Sequence, residues 1–338
     1  MDYRSDTFTK PTQPMLEAML QADTGDDVFG EDPTVNKLEA IMSALFGMEA
    51  ALYCPSGTMS NQIAIKVHTR PGDEVICSSL AHVYIYEGGG IAFNAGAQVR
   101  PLEGDRGMIT AADVEAAINN PDDVHKARTS LVCLENTSNR GGGCCYNFEE
   151  IQQVRQVCNN HGLQLHLDGA RLFNALLATG QTARQFGEVF DSISVCLNKG
   201  LGCPIGSVLL GSQAFIREAR RVRKKLGGGM RQAGYMAATG LYALDHHVDR
   251  LAEDHAHAKR IARALLEREF TGHMLPVETN ILIFEIRSPW SPVTFRDYLA
   301  KEGIRVMAIS PTQVRMVTHL GVTPEMVDKT VEVIRTMS

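Results

Sequence analysis

Short apolar runs alternate with helix-like segments along most of this chain, and that alternation restricts the possible folds more than any other feature. The strand-like runs are residues 50–54, 74–77, 98–102, 130–134, 163–167, 192–197 and 205–210. The helix-like segments are residues 34–46, 111–118 and 148–160, and a further helix begins just after Gly57. This order predicts an α/β fold whose mainly parallel, seven-stranded sheet is covered on both faces. Ligands of such sheets bind beyond the carboxyl ends of the strands.

The pattern changes from about Leu241 onward. One long helix-like stretch is predicted to reach Arg268. Further helices are predicted at 295–301 and 325–337, and strands at 280–286 and 314–317. A length of 338 residues suits a large domain followed by a smaller one. We therefore expect a large domain over residues 1–245, including a polar N-terminal arm, and a small α+β domain over residues 246–338.

The composition disfavours several classes of protein. The net charge of −6 argues against a nucleic-acid partner, and the basic run at 220–225 is typical of a solvated helix face. No apolar run approaches membrane-spanning length, so no membrane partner is expected. None of the eight cysteines forms a C-x-x-C pair, and the histidines lack metal-ligand spacing. We therefore expect no metal site and a reducing, cytoplasmic location.

A phosphate group, if bound, would need an uncommon site, because neither G-x-G-x-x-G nor a Walker-type G-K-[ST] motif is present. Residues 55–58 connect a predicted strand to a predicted helix. Gly57 and Thr58 would place backbone N–H groups and a hydroxyl at the helix N-terminus, where anions bind. Taken alone, the segment is explained more simply as an ordinary helix cap.

Two charged residues directly follow apolar strands. Asp168 ends one strand, where a carboxylate without a cationic partner would be costly. The protonated pyridine nitrogen of pyridoxal 5′-phosphate (PLP) is one candidate partner, and Arg171 is another. Lys199 follows the next strand, and a lysine in that position is suited to covalent bonding with a carbonyl group. The spacing of the two residues suits neighbouring strands whose ends face one crevice.

Two histidines are candidates for catalysis. His82 follows the strand that ends at residue 77, and its flat imidazole could stack on an aromatic cofactor ring. His125 lies in a polar loop. Considered singly, each histidine is explained more simply by a structural role.

Nine motifs, in order along nearly the whole chain, resemble those of the low-specificity L-threonine aldolases. They are 4–7 (RSDT), 25–30 (GDDVFG), 55–58 (PSGT), 81–82 (AH), 134–137 (LENT), 166–171 (HLDGAR), 199–202 (KGLG), 227–232 (GGGMRQ) and 315–320 (RMVTHL). The resemblance implies the fold of the PLP-dependent transferases (fold type I), a PLP cofactor and a homotetramer of two catalytic dimers. Two positions depart from the family pattern: Asn198 stands where serine is common, and Ser138 where histidine is common.

The resemblance also implies roles for individual residues. Lys199 matches the lysine that carries PLP, Asp168 the partner of its pyridine nitrogen and His82 the residue stacked on its ring. Gly57 and Thr58 match the phosphate-binding loop. Ser5, Arg171 and Arg315 match the residues at the substrate carboxylate, and Arg171 also counts among the cofactor-binding residues. Arg231 matches a residue at the phosphate of a neighbouring subunit. His125 matches the histidine near the β-hydroxyl of the substrate.

The activity expected from this resemblance is cleavage of the Cα–Cβ bond of L-threonine, L-allo-threonine and related β-hydroxy-α-amino acids, giving glycine and an aldehyde. The base that removes the hydroxyl proton stays open between His82, His125 and an ordered water. A β-eliminating lyase of the same fold is the nearest alternative, because it would share Lys199 and Asp168. A binding protein that kept the fold without turnover is a further alternative.

Overall fold

The computed structural model describes residues 1–337, and its centre is a seven-stranded sheet. The strands are β1 (Ala50–Cys54), β2 (Glu74–Ser78), β3 (Gln98–Leu102), β4 (Thr129–Glu135), β5 (Gln164–Gly169), β6 (Ser192–Cys196) and β7 (Ser207–Gly211). Their order across the sheet is β1-β7-β6-β5-β4-β2-β3. Only β7 runs antiparallel to its neighbours, so the predicted mainly parallel, seven-stranded sheet is confirmed.

Helices surround this sheet and continue into the C-terminal part of the chain. They are α1 (Gln13–Leu20), α2 (Pro33–Phe46), α3 (Gly57–His68), α4 (His82–Ile85), α5 (Ala111–Ala117), α6 (Phe148–His161), α7 (Leu172–Thr179), α8 (Ala183–Val189), α9 (Gln213–Lys225), α10 (Gly234–His246), α11 (Leu251–Leu266), α12 (Pro292–Lys301) and α13 (Pro324–Thr336). Short helical turns lie at Asp6–Phe8, Asp27–Phe29 and Ile91–Ala95. The described residues contain no helix long and apolar enough to span a membrane.

Alternation along β5 determines which side chains reach the functional face of the sheet. Leu165 and Leu167 point into the apolar core, where they join Ile151 and Val154 of α6. Side chains of successive strand residues point to opposite faces. His166 and Asp168 therefore face the other side, where α3 covers the sheet, and both form hydrogen bonds with its residue Asn61.

A second, antiparallel sheet lies in the C-terminal part of the chain. It consists of β8 (Thr271–Met274), β9 (Ile281–Ile286), β10 (Met307–Ala308) and β11 (Gln313–Val317), in the order β10-β11-β9-β8. Leu282 and Phe284 of β9 pack with Ile261 of α11 and Ile334 of α13 in a separate apolar cluster. This arrangement agrees with the predicted strands and helices of this region, and the domain boundary after residue 245 stays a prediction.

The N-terminal arm packs against this second sheet. The Tyr3 amide donates to the Arg305 carbonyl at 2.8 Å, and the Val317 amide donates to the Tyr3 carbonyl at 2.8 Å. The Tyr3 ring is fully buried in the C-terminal cluster, and its hydroxyl forms a 2.9 Å hydrogen bond with Thr330. The N-terminal arm is thereby held against the second sheet and α13.

One predicted helix is wrong in its extent. The stretch from Leu241 to Arg268 is divided into α10 and α11 by a turn at 247–250. His247 lies in that turn, and its ring Nδ1 is 2.7 Å from the Leu201 carbonyl oxygen. A tertiary contact therefore fixes the end of α10.

Candidate active site

A cavity of about 400 Å³ lies at the carboxyl end of β5 and β6. Its walls come from three parts of the chain. They include Ser5 and Thr7 of the N-terminal arm, His82, Tyr86, Asn139, Arg140, Arg171 and Lys199 from loops around the large sheet, and Met307, Ala308, Ile309 and Arg315 from the small one. Five of the ten predicted site residues therefore line one cavity, in the place expected for a parallel sheet.

Asp168 and Lys199 follow neighbouring strands. β5 and β6 are paired in parallel, with Asp168 opposite Ser194. Asp168 is buried, and its carboxylate accepts hydrogen bonds from the Asn61 amide at 2.9 Å and the Ala170 backbone N–H at 3.1 Å. Lys199 lines the cavity, with its amine 3.8 Å from the Cys196 sulfur. The two residues therefore follow adjacent strands, as expected.

His82 begins α4 beside two carboxylates. Its Nδ1 lies 3.0 Å from Oε1 of Glu87. One ring nitrogen of His82 and one carboxylate oxygen each of Glu87 and Asp168 lie within 4.8 Å of one another. Burial would lower the pKa of His82, but the hydrogen bond to Glu87 and the charge of Asp168 outweigh burial and raise that pKa. The imidazole is therefore fixed at Nδ1, and its Nε2 remains available to the cavity.

Glu135, the last residue of β4, fixes the backbone around His82. Its carboxyl oxygens accept from the amide N–H groups of His82 at 2.6 Å and Asn139 at 2.8 Å. Burial, together with the nearby charge of Asp168, raises the pKa of Glu135 to about 7. Glu135 therefore ionises less readily than an ordinary glutamate.

The opposite side of the cavity is basic. Arg171 donates from Nε and Nη2 to the two oxygens of Asp6, at 2.6 and 2.7 Å, and both side chains are almost fully buried. Burial would raise the pKa of Asp6, but the Arg171 guanidinium outweighs it and holds that pKa at about 2. Two of the three guanidinium nitrogens are thus occupied by Asp6, and Nη1 is left for a ligand.

Arg315 of β11 is the second cation on this side. It donates to the Asn139 side-chain oxygen at 3.0 Å and to the Arg4 carbonyl at 3.1 Å. Burial, together with repulsion from Arg171, lowers the pKa of Arg315 to about 10. Arg315 remains protonated near neutral pH, and no carboxylate of the described residues forms an ion pair with it. An anionic ligand would therefore find two guanidinium groups here.

Gly57 and Thr58 form the first turn of α3, as expected. Ser56 caps this helix by accepting from the Met59 N–H at 3.2 Å. A Cβ on Gly57 would lie 2.4 Å from the Cys196 sulfur, so glycine is required for the helix to approach β6 this closely. The first N–H groups of α3 therefore lie close to the strand that precedes Lys199.

Comparison with known proteins shows the family to which this chain belongs. The family model described as Beta-eliminating lyase matches residues 2–288. Low-specificity L-threonine aldolase 1 of Arabidopsis thaliana is 41% identical over 329 residues, covering 96% of this chain and 92% of the relative. The low specificity L-threonine aldolase of Escherichia coli (strain K12) is also 41% identical, over 96% of this chain and 95% of its own. The chain belongs to the low-specificity L-threonine aldolase family.

Solved structures confirm the predicted fold. The threonine aldolase of Leishmania major aligns with a TM-score of 0.86 over 99% of this chain and 98% of its own, at 22% identity. A serine palmitoyltransferase of Sphingomonas wittichii aligns with a TM-score of 0.78 over 99% and 86%, at 15% identity. The predicted fold type I architecture is therefore shared by aldolase family members and by a more distant enzyme.

Two residues matched to the aldolase family lie outside the cavity of a single chain. The His125 side chain is 91% exposed, and its Nδ1 lies 3.1 Å from Asp123 in a loop before β4. Arg231 is 52% exposed and donates to Asp26 at 2.8 Å. Neither residue lines the cavity, and both side chains face away from the interior of the single chain.

The two departures from the family pattern have different surroundings. Ser138 stabilises a loop, because its hydroxyl donates to the Arg106 carbonyl at 2.9 Å and accepts from the Gly141 N–H at 3.2 Å. Its neighbour Asn139 lines the cavity instead. The Asn198 side-chain oxygen is buried beside Lys199 in sequence and has no hydrogen-bond partner among the described residues.

Four residues of the site were not predicted as site residues: Asp6, Asn61, Glu87 and Glu135. Their part in the site becomes clear only once the fold is known. Asn61 and Gln62 interrupt the apolar side of α3, and both are buried. Such buried polar groups need partners, and here Glu87 accepts from both of them, at 2.9 and 2.6 Å.

Proposed function

We propose that this protein cleaves L-threonine, L-allo-threonine and related β-hydroxy-α-amino acids to glycine and an aldehyde, with PLP as cofactor. One observation carries the proposal. Lys199, His82 and a pair of arginines line the same cavity, while Asp168 lies beside His82. This cavity therefore combines an amine, a general base and a carboxylate-binding site.

The residues present fit PLP. Asp168 supplies a buried carboxylate suited to a protonated pyridine nitrogen, and Lys199 supplies the amine for covalent attachment. Gly57 and Thr58 supply N–H groups for the phosphate, and His82 supplies a flat ring beside Asp168. PLP, when bound, would withdraw electrons from the bond that breaks.

The arginines would hold the substrate carboxylate. Arg171 has Nη1 free, since Asp6 takes its other two nitrogens, and Arg315 donates from the small sheet. Ser5 lines the cavity next to them and could add a hydroxyl. A carboxylate held at two points cannot rotate freely, so the Cα–Cβ bond would be kept in one orientation.

His82 is the base that the geometry favours. Its Nδ1–H donates to Glu87, which leaves the lone pair on Nε2 to accept the β-hydroxyl proton. The raised pKa of His82 keeps it a better base than an ordinary imidazole. His125 would take this role only if a second chain brought it into the cavity.

A homotetramer built from catalytic dimers is part of the proposal. Leu20, Phe29 and Phe93 are 85%, 73% and 88% exposed in the single chain, and such side chains are typical of surfaces that another chain covers. The outward position of Arg231 supports a role at the phosphate of a neighbouring subunit. All eight cysteines are free, which supports a reducing, cytoplasmic location.

β-Elimination is the second candidate, and the matching family model carries that description. It would use the same lysine and carboxylate, and would release ammonia and a keto acid with no glycine.

The test is release of aldehyde and glycine from L-threonine and L-allo-threonine by the purified, PLP-loaded protein, with Lys199→Ala as control. We expect both substrates to react and Lys199→Ala to lose turnover together with the visible absorbance of lysine-bound cofactor. Keto acid and ammonia from β-substituted amino acids, without glycine from threonine, would favour elimination instead. Full activity in Lys199→Ala would overturn both proposals.

A further inference from the structure

A continuous line of mostly buried hydrogen bonds runs between α3 and the large sheet, from His68 to Asp168. His68 ends α3, and its Nε2 lies 2.8 Å from the Ser192 hydroxyl. The same hydroxyl lies 2.8 Å from Nδ1 of His166, whose Nε2 lies 3.1 Å from the side-chain oxygen of Asn61. The Asn61 amide nitrogen lies 2.9 Å from both Asp168 and Glu87.

The chemistry of these groups fixes the direction of every bond. An ionised carboxylate only accepts, so the Asn61 NH₂ group must point at Asp168 and Glu87. The Asn61 oxygen then needs a donor, which must be Nε2–H of His166. Burial lowers the pKa of His166 to about 4, so this ring is neutral and its Nδ1 must accept from the Ser192 hydroxyl.

The same reasoning extends to the other end of the line. The single hydroxyl proton of Ser192 is used on His166, so its oxygen must accept from Nε2–H of His68. Burial lowers the pKa of His68 to about 3, which leaves that ring neutral with one N–H. The ring is also held by stacking on Phe215, with centroids 4.6 Å apart. All donors therefore point toward the cavity.

We propose that Asn61 is a positioning residue that holds the carboxylates of Asp168 and Glu87 in place. The hydrogen bonds through His68, Ser192 and His166 fix the orientation of the Asn61 amide. Asp168 would contact the cofactor and Glu87 orients His82, so one amide serves both the cofactor and the base. With the line broken, His166 can carry its single proton on Nδ1, and the Asn61 oxygen then faces a lone pair on Nε2 in place of a donor. This inference rests on the proposed function for the identity of the cofactor.

Ser192 offers a matched pair of variants. Thr and Val have nearly the same shape, and only Thr keeps a hydroxyl. Ser192 is fully buried at the start of β6. Ser192→Thr and Ser192→Val introduce the same extra methyl group, and Val also replaces the hydroxyl by a second one. An effect of side-chain volume alone would change both variants alike.

The experiment measures PLP affinity, the visible absorbance of lysine-bound PLP, kcat and KM for both variants of the full-length protein. We expect Ser192→Val to bind PLP about tenfold more weakly and to lose about tenfold in kcat, since residues that orient a site residue typically contribute this much. Its KM should change little, because Arg171 and Arg315 are untouched. Ser192→Thr should stay near the wild type in all four measurements.

Equal values for the two variants would overturn the proposal, whatever their thermal stability. If Ser192→Val does not fold, Ser192→Ala replaces it, with the wild type as comparison and the same readouts. PLP affinity and absorbance do not depend on the amino-acid substrate. A wild-type protein that binds PLP without cleaving threonine would therefore overturn the proposed function while leaving this test intact.

Discussion

Asp6 and Glu135 are both buried carboxyl groups beside one cavity, and their surroundings move their pKa values in opposite directions. Burial alone would raise both pKa values. Asp6 has a bidentate guanidinium partner, which holds its pKa at about 2. Glu135 has two backbone N–H donors and the like charge of Asp168, and its pKa rises to about 7. Whether a buried carboxyl stays ionised here depends on a full opposite charge beside it.

The largest expected effect comes from removing the charge of Asp6. Asp6→Asn leaves the buried Arg171 without its ion-pair partner, and we expect a loss of about 3–5 kcal/mol in the free energy of unfolding. Urea denaturation measures this loss. Asp2→Asn is the matched control, because Asp2 pairs with Arg4 at a partly exposed position and should lose less than about 1 kcal/mol. Equal losses would show that the Arg171 pairing does not stabilise the fold.

A smaller effect is expected when the wild-type protein is acidified. The pKa of Asp6 is lower in the folded state, so its contribution is present above the ordinary value of 3.8 and is lost as the pH falls through about 2. That contribution amounts to about 2 kcal/mol. Stability curves over this range should therefore be steeper for the wild type than for Asp6→Asn. Parallel curves would contradict the lowered pKa.

The smallest effect is expected from Glu135→Gln. The pKa of Glu135 is higher in the folded state, so its contribution is present below the ordinary value of 4.5 and is lost as the pH rises through about 7. At about pH 5, Glu135→Gln should lose about 1 kcal/mol for one hydrogen bond. At about pH 8 the difference should shrink or reverse, because only the wild type must ionise a buried carboxyl. A constant difference between the two pH values would contradict the raised pKa.

Much of the fold and the centre of the site could be predicted from the sequence. Apolar runs of strand length give β1 to β7, and Asp168 and Lys199 stand out because charges are unusual at the ends of such runs. The break between α10 and α11 could not be predicted, since residues 241–268 contain neither glycine nor proline. It depends on the contact of His247 with Leu201, which is absent from any local pattern.

The acidic half of the site was harder to predict than the basic half. Asn61 is hydrogen-bonded to Asp168, which is 107 positions away in the sequence, and to Glu87, which is 26 positions away. No local spacing reveals such partners. Arg171 and Arg315 were recognised through the family motifs that contain them. The roles matched to His125 and Arg231 stay predictions, because both residues are exposed in a single chain and would act across a subunit boundary.

The N-terminal arm has a consequence for the order of events during synthesis. Residues Ser5 and Asp6 emerge from the ribosome about 300 positions before the residues that hold the arm, because Tyr3 is hydrogen-bonded to Arg305 and Val317. Contacts between positions this far apart form late in folding. A nascent chain can therefore complete the large sheet before the arm is in place. Termination before Arg305 would also remove Met307 and Arg315 from the cavity wall, so the proposed carboxylate site would be incomplete.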